Sequence, residues 1–197
     1  MLIAVMLSGS TARPDTLSYR ESDRLLHGET VVRPQLLRRG ERRYVGGVAY
    51  AIVDASPEDL EMLLSKPEVW RRLLPRTRSA RRVGGRDADM LLEITQGTAF
   101  LRTTYTIRFH RDGDSVRFWI DGSRPHDIED AWGFVRAEPL APGRALVTYG
   151  VLIDLGPGLL RALFEDGIRD AALSLPDRIR NLVVDQIAAG QRAAVIP

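Results

Sequence analysis

The stretch ALVTYGVLIDLGPGLLRALFEDGIRDAALSLPDRIRNLVVDQI, residues 145–187, changes its periodicity once, and that change decides the fold. Up to residue 153 the apolar side chains alternate: Val147, Tyr149, Val151 and Ile153 share one face of an extended chain, as in a strand with one buried side. Past Gly156-Pro157-Gly158 the spacing becomes three and four residues. Leu160, Leu163, Phe164, Ile168, Ala171, Ala172, Leu175, Ile179, Leu182, Val183 and Ile187 form the stripe of one long amphipathic helix. Pro176 lies inside that helix and predicts a kink near its middle. A stripe this long must be covered, and the sheet that the preceding strand belongs to is the surface available to cover it.

Working outward, AWGFVRAEPL (131–140) reads as a strand joined to ALVTYGVLIDL by the turn Ala-Pro-Gly-Arg. In 101–109, Leu101, Thr103, Tyr105, Ile107 and Phe109 alternate with Arg102, Thr104, Thr106 and Arg108. The Asp-Gly turn of RDGDS then leads into VRFWID, where Val116, Phe118 and Ile120 repeat the alternation. Upstream, YVGGVAYAIVDA (44–55) reads as a strand and SPEDLEMLLSKPEVWRRLLP (56–75) as two short helices. Ser56 is placed to cap the first, with Pro57 at its first position and Asp59 where a carboxylate favours the helix dipole; Pro67 and Pro75 punctuate the rest. Gly133 and Gly150 fall inside strands and predict bends.

These elements define an α+β fold: a curved antiparallel sheet of about six to seven strands around a long C-terminal helix, with two short helices after the first core strand. A sheet curled around a helix leaves a space suited to an apolar ligand. Residues 44–190 make up this ligand-binding domain. Residues 19–43 read as an N-terminal extension: a short helix ending at Gly28, then an extended segment, 29–37, that Pro34 restricts to a sheet edge. Residues 1–18 and 191–197 read as tails. The apolar start MLIAVML also fits a secretory leader, although it lacks the basic residues that open one, so cytoplasmic and exported locations both stand.

The 197 residues contain no cysteine, which excludes thiolate zinc sites, iron–sulfur clusters, cysteine nucleophiles and redox dithiols. No apolar run approaches the ~20 residues of a membrane-spanning helix. The formal charge is +2, but residues 33–86 hold 13 basic against 6 acidic side chains while 87–197 hold 12 against 16. The clusters LLRRGERRY (37–44), Arg71-Arg72 and RTRSARR (76–82) could form one basic face. A solvated face is the default reading; contact with an anionic membrane surface is the functional one. No nucleic-acid partner is expected, because aromatics do not interleave with the arginines and no recognition motif is present.

Dinucleotide, Walker, zinc-protease, nucleophile-elbow and EF-hand motifs are missing, and no cofactor or metal is expected. His27 and His110 stand alone and read as surface residues. In the polar run His126, Asp127, Ile128, Glu129 and Asp130, strand alternation prevents all four ionisable groups from converging. Asp130, if it turns inward beside Trp132, needs a partner such as an arginine and could then read a ligand's polar head. Tyr105, Phe109, Asp130, Trp132, Tyr149, Phe164 and Ile168 are the candidate ligand-binding residues, while Trp119 falls on the polar face of its strand, exposed or covered by the N-terminal extension.

The chain resembles the START-like and polyketide cyclase/dehydratase superfamily (SRPBCC), which has a helix-grip fold. The resemblance rests on AYAIVDASPEDLEMLLSKPEVWRRLLP at 49–75 and on FVRAEPLAPGRALVTYGVLIDLGPGLLRALFEDGIRDAALSLPDRIRN at 134–181. Within the superfamily the chain is most similar to bacterial coenzyme-Q-binding and START-domain-like proteins. The resemblance implies non-catalytic binding or transport of a lipid, quinone or polyketide-like molecule between the sheet and the C-terminal helix. Two alternatives stay open: a cyclase or dehydratase using Tyr105, Asp130 or Tyr149 as acid or base, and a partner-binding module using the basic 33–86 face.

Overall fold

The computed structural model describes residues 17–86, 89–98, 102–157 and 159–195, with side chains described outside 159–164 and 189–195. In chain order these residues form α1 (Tyr19–Leu26), β1 (Val31–Arg39), β2 (Arg42–Val53), α2 (Pro57–Leu64), α3 (Pro67–Leu73), β3 (Thr77–Arg86) and β4 (Asp89–Gly97). There follow β5 (Arg102–Asp112), β6 (Ser115–Ile120), β7 (Asp130–Ala141), β8 (Arg144–Asp154), α4 (Leu159–Leu173) and α5 (Leu175–Val195). The strands make one curved antiparallel sheet of eight, ordered β1-β2-β8-β7-β6-β5-β4-β3. Most neighbours are hairpins; the pairing of β2 with β8 is what brings the start and the end of the domain together.

Period-two patterning sets which side of each strand is buried. Tyr105 and Phe109 of β5, Phe118 and Ile120 of β6, and Val147, Tyr149 and Val151 of β8 all join one core cluster on the concave face. Leu60 and Leu63 of α2, Val69, Trp70 and Leu73 of α3, and Ile179, Leu182 and Val183 of α5 close over them. Ser56 caps α2 as its sequence implies, its Oγ accepting from the Asp59 amide at 3.1 Å.

The sheet has one more strand than the upper expectation, because segment 29–37 belongs to it. β1 pairs with β2 along its whole length, from Val31↔Tyr50 to Arg39↔Arg42, and Pro34 sits on this edge strand, where a missing amide is tolerated. α1 lies over the convex side of β2. Leu25, Val31, Tyr50 and Ile52 form a second small core there. The segment between α1 and β1 is also tied to α5, by Arg180 Nη1 donating to the Gly28 carbonyl at 2.6 Å and Arg180 Nη2 to Thr30 Oγ1 at 3.1 Å.

The C-terminal stripe is carried by two helices rather than one kinked helix. The chain breaks at Ser174, and Pro176 stands in the first turn of α5, where its missing N–H would have had no partner in any case. Leu173, Leu175 and Pro176 around the break are almost fully buried. The apolar stripe also ends earlier than its spacing suggests: Val183 is buried, but Ile187 is 45% exposed.

The arginine clusters do not make one face. The 37–44 cluster lies on the β1–β2 hairpin at one edge of the sheet, and 76–82 lies on β3 at the opposite edge. Arg42 and Arg43 are moreover engaged by Asp130, at 3.0 Å, and by Glu165, at 2.6 Å.

Candidate functional site

A chain of rings runs across the concave face. Trp70 of α3 lies 4.7 Å from Phe109, Phe109 lies 5.9 Å from Phe118, and Phe118 stacks on Tyr149 at 5.9 Å. Each ring stands on an inward strand position or on the buried side of α3, and together they fill much of the volume that the curl of the sheet encloses. The Trp70 indole N–H is spent locally, on the Leu64 carbonyl at 2.8 Å.

Two cavities open between α2, the β5–β6 hairpin and β7. One cavity of about 320 Å3 is bounded by Leu64, Trp70, Arg82, Met90, Phe109 and Val135, among others. A second of about 290 Å3 lies under α2 against Val116, Ala137, Val147 and Ile179. The two share Leu64, Val116 and Val135, and also the pair Glu61 and Arg111, which are joined by a salt bridge between α2 and the end of β5. Both volumes sit at the small end of the ~300–1,000 Å3 typical of ligand pockets.

Polar groups in the interior are few. The Tyr105 hydroxyl donates to Gln96 Oε1, and Gln96 Nε2 donates to the Pro75 carbonyl at 2.9 Å, so the tyrosine is tied through Gln96 to the end of the α3 segment. Burial pushes the phenols of Tyr105 and Tyr149 well above the usual tyrosine range; for Tyr149 the neighbouring Tyr105 adds to the effect. Both therefore stay neutral throughout the physiological range.

The candidate residues divide. Tyr105, Phe109 and Tyr149 are buried in the core cluster, and Phe109 lines the larger cavity. Ile168 is half-buried on α4, and the Phe164 side chain lies outside the described residues. Trp132 and Asp130, expected inward, point the other way. On β7 the inward positions are Ala131, Gly133 and Val135, because Gly133 sits beneath Phe118, where a Cβ would come within 2.5 Å of the ring. Trp132 is consequently 44% exposed on the convex side. Asp130 does find an arginine, but outside the cavity: it accepts from Arg42 at 3.0 Å and from the buried Tyr44 hydroxyl at 2.8 Å, bracing β7 against β2.

The rest of the 126–130 run is also structural. His126 Nδ1 lies 2.8 Å from the Ile128 carbonyl, and the Asp127 carboxylate accepts from the Thr104 amide at 2.7 Å. Trp119 is 37% exposed. Of the larger cavity's lining only Phe109 was a candidate; the residues that sequence reasoning missed include Leu64, Trp70, Met90 and Val135 together with Glu61, Arg82 and Arg111. Trp70 was legible, since it follows Val69 on a short helix whose other face is Arg71-Arg72; the charged three carry no sequence mark that separates them from other surface residues.

No protein-family model and no curated protein matches the sequence. Solved structures do match in shape. A STAR-related lipid transfer protein from Xanthomonas axonopodis superposes with a TM-score of 0.60 at 14% identity, covering 76% of this chain and 98% of its own. A protein from Thermus thermophilus gives 0.58 at 16% identity, with 71% of this chain and 97% of that one. Norcoclaurine synthase from Thalictrum flavum gives 0.53 at 14% identity, with 79% and 98%. The chain shares the helix-grip fold of these structures.

Proposed function

We propose that the protein binds an apolar small molecule without transforming it, in the volume between the concave face of the sheet and helices α2, α3 and α5. The observation that carries this reading is the larger cavity, whose walls of Leu64, Trp70, Met90, Phe109 and Val135 are apolar and whose indole donor is already satisfied. Covering a ligand there gains about 25 cal/mol per Å2 of apolar surface, before the cost of association. Relatives in shape include both a lipid transfer protein and a synthase, so the fold does not choose between binding and catalysis. The site favours binding. Asp130 faces away from the cavity, and two phenols raised by burial are poorly matched to acid–base work near neutral pH.

Seven exposed arginines stand between residues 71 and 86 with no acidic residue in that stretch, Arg71, Arg72, Arg76, Arg78, Arg81, Arg82 and Arg86, of which Arg81 pairs with Glu93 of β4 at 2.8 Å. This row borders the cavity that Arg82 and Trp70 help to line, and it is suited to seat the mouth on an anionic bilayer during exchange.

Native mass spectrometry of protein purified without detergent, with an organic extract of the same sample, tests the binding reading. A bound mass lost on denaturation and recovered as an apolar molecule supports it, as does uptake of the apolar dye Nile red that Val135→Trp abolishes. A clean unliganded mass with no dye uptake overturns it. The bilayer contact is tested separately, by co-sedimentation with phosphatidylcholine vesicles with and without phosphatidylserine; equal binding to both refutes it.

A further inference from the structure

The larger cavity is apolar on its floor and charged on its rim. Two guanidiniums, Arg82 of β3 and Arg111 of β5, stand on that rim with one carboxylate, Glu61 of α2. Glu61 pairs with Arg111. Arg82 has no carboxylate partner among the described residues: its Nη2 and Nε donate to the carbonyls of Gly85, at 2.9 Å, and Gly84, at 3.4 Å. The rim therefore carries a net positive charge beside a floor that offers a ligand no ionic partner.

The chain is shaped to put Arg82 there. Arg82 pairs with the buried Leu92 and stands two residues from Ala80, which packs on the core, so ordinary alternation turns it to the concave face; the β3–β4 register shifts only after it, and Gly85 follows at φ +86. No larger residue fits at Gly85, because a Cβ would fall 1.8 Å from the Asp89 carbonyl oxygen. The two carbonyls thus steady the guanidinium from behind and leave its remaining donors for a group at the mouth. Arg111 is available too, since its ion pair with Glu61 is half in solvent and such pairs are worth little.

We infer that the ligand is an amphiphile with an anionic head of the carboxylate class. Its tail lies over Trp70 and Phe109, and its head is held by Arg82 and Arg111, taking the place of Glu61. A tail longer than the larger cavity continues past the displaced pair into the second cavity under α2, which shares Leu64, Val116 and Val135 with the first. This inference rests on the cavity being the ligand site and adds the chemistry of the head group.

The test compares lauric acid, lauryl alcohol and methyl laurate as competitors of Nile red at neutral pH. The acid should bind at least about tenfold more tightly than the alcohol or the ester, the scale of one charge-assisted contact. Arg82→Gln and Arg111→Gln should each collapse that preference, with dye uptake showing that the variants are folded, and Glu61→Gln should strengthen binding of the acid. Equal binding of acid and alcohol in the wild type, or arginine variants that weaken all three alike, overturns the head-group inference while leaving the cavity reading standing. Failure of Nile red and all three compounds to bind overturns both.

Discussion

Trp119 of β6 and Trp132 of β7 stand directly opposite each other across the strand pair, on the convex side of the sheet, 37% and 44% exposed. Trp70, the third tryptophan, is 4% exposed and lines the larger cavity. The three therefore separate into two solvent reporters and one site reporter. Acrylamide should quench Trp119 and Trp132 strongly, while the variant carrying Trp119→Phe and Trp132→Phe should emit further to the blue and resist quenching. A cavity ligand should perturb that remaining emission and leave a Trp70→Phe variant unchanged. A ligand response retained in full after Trp70→Phe would place binding somewhere other than under α2.

Five tyrosines are present; four of them are buried, and burial pushes up the phenols of two, Tyr105 and Tyr149 on the concave face. Desolvation disfavours the phenolate at Tyr105 and Tyr149, so each ionises more readily in the unfolded chain than in the folded one. The sign follows: their contribution to stability is complete below the ordinary tyrosine value near 10 and is lost as pH rises beyond it. An alkaline spectrophotometric titration should show at least two tyrosines that ionise only with unfolding, which should itself begin above pH ~10. Replacing Tyr105 and Tyr149 with phenylalanine should shrink that delayed step by two tyrosines. Five tyrosines titrating together with the fold intact would contradict the burial.

The architecture was legible in the sequence because most strands bury one face and the helices bury one stripe, so periodicity alone assigns Tyr105, Phe109, Phe118, Val147 and Tyr149 inward. It failed on β7. There the sequence Ala131-Trp132-Gly133-Phe134-Val135 offers large apolar side chains in both phases, and the choice is made by a neighbour: Phe118 needs the space that a glycine leaves at 133. The C-terminal break was misjudged for a related reason. A proline in an apolar stripe signals a disturbance, but whether the helix bends or restarts depends on the packing of Leu173 and Leu175 around Ser174. The charged rim was invisible. Arg82 reaches the concave side by alternation, opposite Leu92, but nothing in its local sequence separates it from the other arginines of β3, and Glu61 and Arg111 are far apart in sequence.

Gly133 makes the space argument quantitative. A Cβ there would lie 2.1 Å from the Gly150 carbonyl oxygen as well as 2.5 Å from Phe118, and the first of these is backbone that cannot swing aside. Gly133→Ala should therefore destabilise the protein by at least about 2 kcal/mol, in the range of an overpacked core. Gly113, in the β5–β6 turn at φ +61 with nothing within 4 Å of an added Cβ, is the comparison. Gly113→Ala should cost only the backbone strain, about 1 kcal/mol. Denaturant midpoints decide it, and similar losses at the two sites would refute the steric account of the β7 register.

Acid should release α1 before it unfolds the sheet. The Glu21 carboxylate accepts from Arg33 Nη2 at 2.7 Å and Nε at 2.8 Å, and from the Ser18 amide at 2.8 Å as the second half of a capping box. The Arg33 hydrogen bonds, and after them those from Ser18, hold the carboxyl far below the usual glutamate range. A depressed folded value means that this contribution is present above the ordinary glutamate value of 4.5 and drains away as pH falls below it. Leu25 is the principal apolar anchor of α1 in the convex core, whereas β8 is fixed by ladders on both sides. Amide exchange should then show residues 19–26 losing protection between neutral pH and pH ~3 while β8 keeps its own. Glu21→Gln should reproduce the loosened helix at neutral pH, where the amide can neither carry the charge that Arg33 pairs with nor accept as many bonds. Loss of protection in α1 and β8 at the same pH would show instead that the helix and the sheet open as one unit.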